Sequence, residues 1–216
     1  EAEGATRAES GRRMVVITDQ GTPLEKLRQR ELMRTAFSAP HTVGGRYSAL
    51  SMFGLTPAAL IGVHLPSLIA RAHAMELACA APIDENPGAL LASWMADAHA
   101  AGRDKLTLVF SERFVPLGLW IEQLVAESLG KSGTGLVPVI EYDRSVATGF
   151  DDDRAVVVTR FTDDEPLETW SREVAADHPV FELTVTDVFD LSAEFVRWEY
   201  AVALAGFLLS VNPFDE

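Results

Sequence analysis

Five short strand-like runs, the first of them unbroken in apolar residues, constrain this fold more than anything else in the chain. They are Met14-Val15-Val16-Ile17-Thr18, Leu106-Thr107-Leu108-Val109-Phe110, Leu136-Val137-Pro138-Val139-Ile140, Ala155 to Phe161 and Val180 to Val185. A strand wet on one face alternates apolar and polar residues, whereas a strand covered on both faces does not need to. Helical segments separate the runs, at residues 23 onward, 51–63, 65–81, 87–101, 116–129, 167–176 and 191–209. Thr22 is placed to cap the first, with Pro23 at its first position and Glu25 in its first turn; Asn86 caps the fourth and Gly102 stops it,. Residues 1–13 are polar, either frayed or helical, and Phe37 to Ser48 reads as loop. Strands alternating with helices predict an α/β protein whose parallel sheet is covered on both sides.

The chain of 216 residues is 48% apolar, enough for a globular core,. Its 18 basic residues against 32 acidic ones leave a net charge of −14. That excludes a nucleic-acid backbone as partner, which needs clustered Lys and Arg. A small anion is still permitted, since one arginine and a few backbone amides hold a phosphate in an acidic protein. The single cysteine, Cys79, excludes an internal disulfide framework and reads as a small core residue in a reducing, cytoplasmic setting,. The start, Glu1-Ala2-Glu3-Gly4, carries no secretory signal. The longest apolar run, Tyr200 to Val211, is shorter than the roughly 20 residues that span a bilayer, so no membrane partner is expected,.

Two segments carry candidate chemistry. In Val43-Gly44-Gly45-Arg46-Tyr47-Ser48 an arginine follows two glycines. Glycines allow close backbone approach and positive φ, and the guanidinium offers a fork of donors to an oxyanion. The alternatives are a plain turn at Gly44 and Gly45 and an inter-domain salt bridge at Arg46. In Ala126-Glu127-Ser128-Leu129-Gly130-Lys131 a carboxylate ends an apolar helix. Leu117, Trp120, Ile121 and Leu124 recur at helical spacing, and Glu127 continues that stripe, so it is expected to be desolvated, with its pKa raised toward a general base's range,. The alternative is a helix-end glutamate paired with Lys131 at i+4. Gly130-Lys131-Ser132-Gly133 lacks the spacing of a phosphate loop, because position 125 is Val,. The five histidines are scattered and lack a cysteine partner, and Asp151-Asp152-Asp153 reads as a solvated loop, so no metal site is indicated,.

The stretch from Gly44 to Ser51, followed by Phe53-Gly54-Leu55 and Pro57-Ala58-Ala59-Leu60, resembles the glucose-6-phosphate isomerase family. So do Gly118 to Ser128 with Gly130, Lys131 and Gly133, and the closing Val211-Asn212-Pro213-Phe214-Asp215. Similarity runs from about Val15 to Glu216 and is nearest to the isomerase part of transaldolase–isomerase fusions. The resemblance implies two sugar-isomerase (SIS) domains of flavodoxin- or Rossmann-like type, each a three-layer α/β/α sandwich on a five-stranded parallel sheet. Residues 1–50 then close the first domain and lead into the linker, and residues 51–216 form most of the second.

It also implies an activity, the interconversion of glucose 6-phosphate and fructose 6-phosphate in glycolysis and gluconeogenesis through a cis-enediolate, with no cofactor. Glu127 takes the base's place, Arg46 steadies the anion, and Gly44 and Gly45 belong to the substrate site. The sugar phosphate is the expected ligand, and a homodimer or a fused transaldolase domain the expected assembly. The family's Ser/Thr-rich phosphate loop is not found before Val15, and its terminal lysine segment would lie past Glu216. The isolated chain is therefore expected to be an inactive fragment. His178, in Asp177-His178-Pro179, occupies the interval of the family's ring-opening histidine without matching its pattern. A non-catalytic sugar-phosphate-binding domain on the same fold is the alternative reading.

Overall fold

The computed structural model describes residues 4–143 and 150–215. The chain divides into two units, Glu1–Leu65 and Pro66–Glu216. In the first unit, α1 (Arg7–Arg12) opens behind a capping box in which the side chains of Thr6 and Glu9 each accept from the other's backbone amide,. The strand β1 (Val15–Thr18), the helix α2 (Pro23–Arg30) and the strand β2 (Thr35–Ser38) follow. Thr22 accepts from the Glu25 amide, and Pro23 takes the first helical position, as the sequence predicts,. β1 and β2 pair in parallel, with Val15 opposite Thr35 and Thr18 opposite Ser38. After a single 3-10 turn at Gly45–Tyr47 comes α3 (Met52–Leu60). Ser51 caps α3 by accepting from the Phe53 amide. Gly54 is indispensable there, because a Cβ would lie 1.9 Å from the Ala49 carbonyl oxygen.

From the boundary onward come α4 (Leu65–Cys79), α5 (Pro87–Ala100), β3 (Lys105–Phe110), α6 (Val115–Leu129), β4 (Val137–Ile140), β5 (Arg154–Phe161), α7 (Glu165–Val174), β6 (Val180–Val185) and α8 (Asp190–Leu208). Asn86 caps α5 through the Ala89 amide, and Gly102 ends it at φ +81. The second unit's sheet has the order β4-β3-β5-β6, with every pair parallel. It holds four strands, not the expected five. The remaining apolar run, β1, is paired in the first unit with β2, whose end falls in the stretch that reads as loop. Apolar patterning reports burial, and the choice of neighbour is made by the ladder.

Alternation along the strands sorts the helices to two faces. Val109, Val156 and Val158 pack with Leu167, Trp170 and Val174 of α7. Phe110 points the other way, toward α6, where a Cβ on Gly118 would come within 2.8 Å of its ring. Phe181 on the same side meets Trp94 of α5, with ring centroids 5.5 Å apart. Trp198, Leu91, Met95 and Ile121 are fully buried, and Cys79 is buried as expected. Among the described residues no helix is long and apolar enough to cross a membrane.

Candidate active site

Gly44 and Gly45 do not use the left-handed backbone that their sequence suggests. Gly44 sits at φ −68, ψ 160, and Gly45 opens the 3-10 turn, a conformation any residue adopts,. No atom lies within 4 Å of a Cβ built on either one. The pair therefore leaves open space beside the backbone. Arg46 is half-buried in this turn, its guanidinium carbon 6.0 Å from the centroid of the Tyr47 ring. Ser48 closes the turn, its hydroxyl donating to the Gly45 carbonyl at 2.8 Å, and the Ser51 hydroxyl donates to the Ser48 carbonyl at 2.7 Å. Ser48 holds the turn itself, and Ser51 caps the helix that follows.

Glu127 departs from its expected burial. Its carboxylate is exposed and accepts from Gln123 Nε2 at 3.2 Å. The buried face of α6 is made by Leu117, Gly118, Ile121, Leu124, Val125, Ser128 and Leu129. At about 100° per residue, Glu127 lies roughly a third of a turn from the middle of that face. Trp120 misled the phase. It is only half-buried at the rim, where it meets Phe195 of α8 edge-on, with centroids 4.7 Å apart. Arg46 belongs to the first unit and Glu127 to the second.

The position of Glu127 relative to the sheet is also informative. Helix α6 leaves the carboxyl end of β3 and returns to the start of the parallel strand β4, so its last turn lies beside the edge where strands begin. Ligands in open α/β sheets usually sit at the opposite edge. There, Ser111 Oγ donates to Asp164 at 2.6 Å and accepts from the Phe161 amide at 3.0 Å. The guanidinium of Arg160, buried at the end of β5, is matched by Glu182 at 2.7 Å and Glu168 at 3.6 Å. These groups satisfy one another, and beside them the Arg113 guanidinium lies over the Phe161 ring at 4.9 Å.

Lys131 is not a phosphate-loop lysine. Its ammonium donates to the carbonyl oxygen of Asn212 at 2.9 Å and to that of Asp215. Spacing along the chain held no sign of this link between residues some eighty apart. His178 is buried before β6, its ring edge-on to Phe150 at 5.7 Å and its Nδ1 without a hydrogen-bond partner. Among the described residues no group of three or more His, Cys, Asp or Glu is arranged to hold a metal ion.

Two unused carboxyls lie on α8. Glu194 is almost fully buried and pairs with Arg197 at 3.1 Å; burial raises its pKa, against the opposing pull of that guanidinium. Burial alone pushes the Glu199 carboxyl up to about 8. Sequence reading missed both, because nothing in their spacing along a mainly apolar helix marks them as buried.

No protein-family model matches the sequence. A glucose-6-phosphate isomerase of Synechococcus sp. (strain JA-3-3Ab) is 40% identical over 121 residues, which make up 55% of this chain and 23% of that protein. The chain is related to the glucose-6-phosphate isomerases. It matches only about a quarter of the length of that isomerase. Among solved structures, a hypothetical protein of Thermus thermophilus superposes with a TM-score of 0.85 at 24% identity, over 97% of this chain and 60% of the other. A glucose-6-phosphate isomerase-like protein of the same organism gives a TM-score of 0.60 at 15% identity, over 92% and 73%. At these identities the structural likeness is one of fold, and it is with an isomerase-like fold that the α/β arrangement agrees.

Proposed function

We propose that this chain is the Arg46- and Glu127-bearing part of an aldose–ketose isomerase that interconverts glucose 6-phosphate and fructose 6-phosphate. Glu127 removes the proton from C2 of the open-chain aldose and returns it to C1. Arg46 holds the negative oxygens of the cis-enediolate formed between the two steps. The chemistry needs no cofactor. Gly44 and Gly45 leave room for the sugar to lie against the backbone. Residues 1–50 close one SIS domain and residues 51–216 form most of another in the complete, cytoplasmic enzyme, as a homodimer or joined to a transaldolase domain. The observation that carries this reading is the 40% identity to an isomerase over 121 residues.

The exposure of Glu127 favours a second reading, a sugar-phosphate-binding domain without turnover, because proton abstraction is best served by a base shielded from water,. Proton exchange separates the two. The intact protein, incubated with fructose 6-phosphate in D2O, should place deuterium at C2 of the glucose 6-phosphate it forms. Glu127→Gln should lower kcat by about 10²-fold or more with KM little changed. Binding of the sugar phosphate without exchange, or full turnover by Glu127→Gln, rejects the isomerase assignment of these residues.

A further inference from the structure

Four contacts converge on the end of α6. The chain after Leu129 folds back tightly: the Lys131 amide donates to the Leu129 carbonyl at 2.9 Å, and the Thr134 amide to the Lys131 carbonyl at 3.0 Å. Gly135, at φ +134, presses so close that a Cβ would stand 2.5 Å from the Leu129 carbonyl oxygen. The turn is tied sideways to α5 by His99 Nε2 and Thr134 Oγ1 at 2.9 Å. Lys131 is therefore held rigidly one turn beyond Glu127.

A second turn stands opposite. Asn212 Oδ1 accepts from the Phe214 amide at 3.1 Å, and Asn212 Nδ2 donates to Asp215 Oδ1 at 2.5 Å. Pro213 lies against Gly206 of α8, where a Cβ would meet the proline ring at 2.8 Å. This folds Asn212–Asp215 into a compact unit that presents two carbonyl oxygens to the Lys131 ammonium. An ammonium has three donors and no acceptor, so it suits two converging carbonyls on one side.

We propose that Lys131 is a positioning residue: it latches the turn after the Glu127 helix to the Asn212–Asp215 turn and so holds the last turn of α6 in register for catalysis. The positioning role rests on the isomerase reading; the latch itself does not. The rigid turn transmits the link to Glu127, and Gly206 with Pro213 anchors the far side to the core helix α8.

The test uses the intact enzyme carrying Lys131→Met, which keeps the apolar stem and removes the donors, and Lys131→Arg, which restores donors. Lys131→Met should lower kcat about tenfold while KM stays within about twofold, since a displacement of a fraction of an ångström is costly to proton transfer. Lys131→Arg should recover most of that loss. Hydrogen–deuterium exchange on the same proteins reads the latch without turnover. The Phe214 amide should lose about tenfold in protection in the Met variant and much less in the Arg variant. Unaltered Phe214 exchange overturns the latch. Lost protection with unchanged kcat overturns the positioning role. A wild-type protein without isomerase turnover overturns both that role and the function it rests on, while leaving the exchange result to judge the latch.

Discussion

Glu199 offers a quantitative test of the packing of α8. Its carboxyl lies deep enough that burial alone pushes it from 4.5 to about 8, and one of its oxygens has no hydrogen-bond partner. The folded chain therefore keeps a proton that the unfolded chain releases above pH 4.5. Stability contributed by the neutral carboxyl is complete below pH 4.5 and is lost as pH rises toward 8. In linkage terms the folded state binds more protons across this window, so the free energy of unfolding falls with pH. The bound is about 1.4 kcal/mol per pH unit, or roughly 4 kcal/mol between pH 5 and pH 8. Because the side chain keeps some access to water, about 2 kcal/mol is the expected size. Glu199→Gln removes the titration and keeps the shape. Urea unfolding of both proteins at pH 5 and pH 8 gives a double difference from which any fixed cost of the amide cancels. The wild type should lose about 2 kcal/mol more than the variant between the two pH values. Parallel curves, within about 0.5 kcal/mol, would refute the burial argument.

Gly45 of the arginine segment and Gly54 of α3 should behave in opposite ways. Gly45→Ala meets open space and no positive φ, so chemical unfolding should change by less than about 0.5 kcal/mol, yet the intact enzyme should lose affinity for sugar phosphate because a methyl group occupies the approach to the backbone,. Unchanged kinetics would remove the glycine pair from the substrate site. Gly54→Ala drives a Cβ into the Ala49 carbonyl, and limited proteolysis of the first unit should report a loss of about 2 kcal/mol or more; equal resistance would show that α3 sits elsewhere,.

Local chemistry was legible wherever a residue acts on its own neighbours. Thr22, Asn86 and Gly102 cap or stop the helices as their types require, because a cap is a contact within four residues,. Four of the five apolar runs form one parallel sheet; its central strands, β3 and β5, are covered on both faces, whereas the outer strand β6 exposes Glu182 and Thr184,. Three things were settled only by the tertiary structure. One is the partner of β1, since Thr35–Ser38 has no apolar signature and becomes a strand through the ladder it completes. Another is the rotation of α6, where a rim tryptophan stood in for a core residue and placed Glu127 inside when it lies outside. The last is the bond from Lys131 to a turn some eighty residues away. Helical periodicity sets which residues share a face, but the angle at which that face meets its neighbours depends on the sheet beneath it, and a side chain's distant partner depends on where the chain returns.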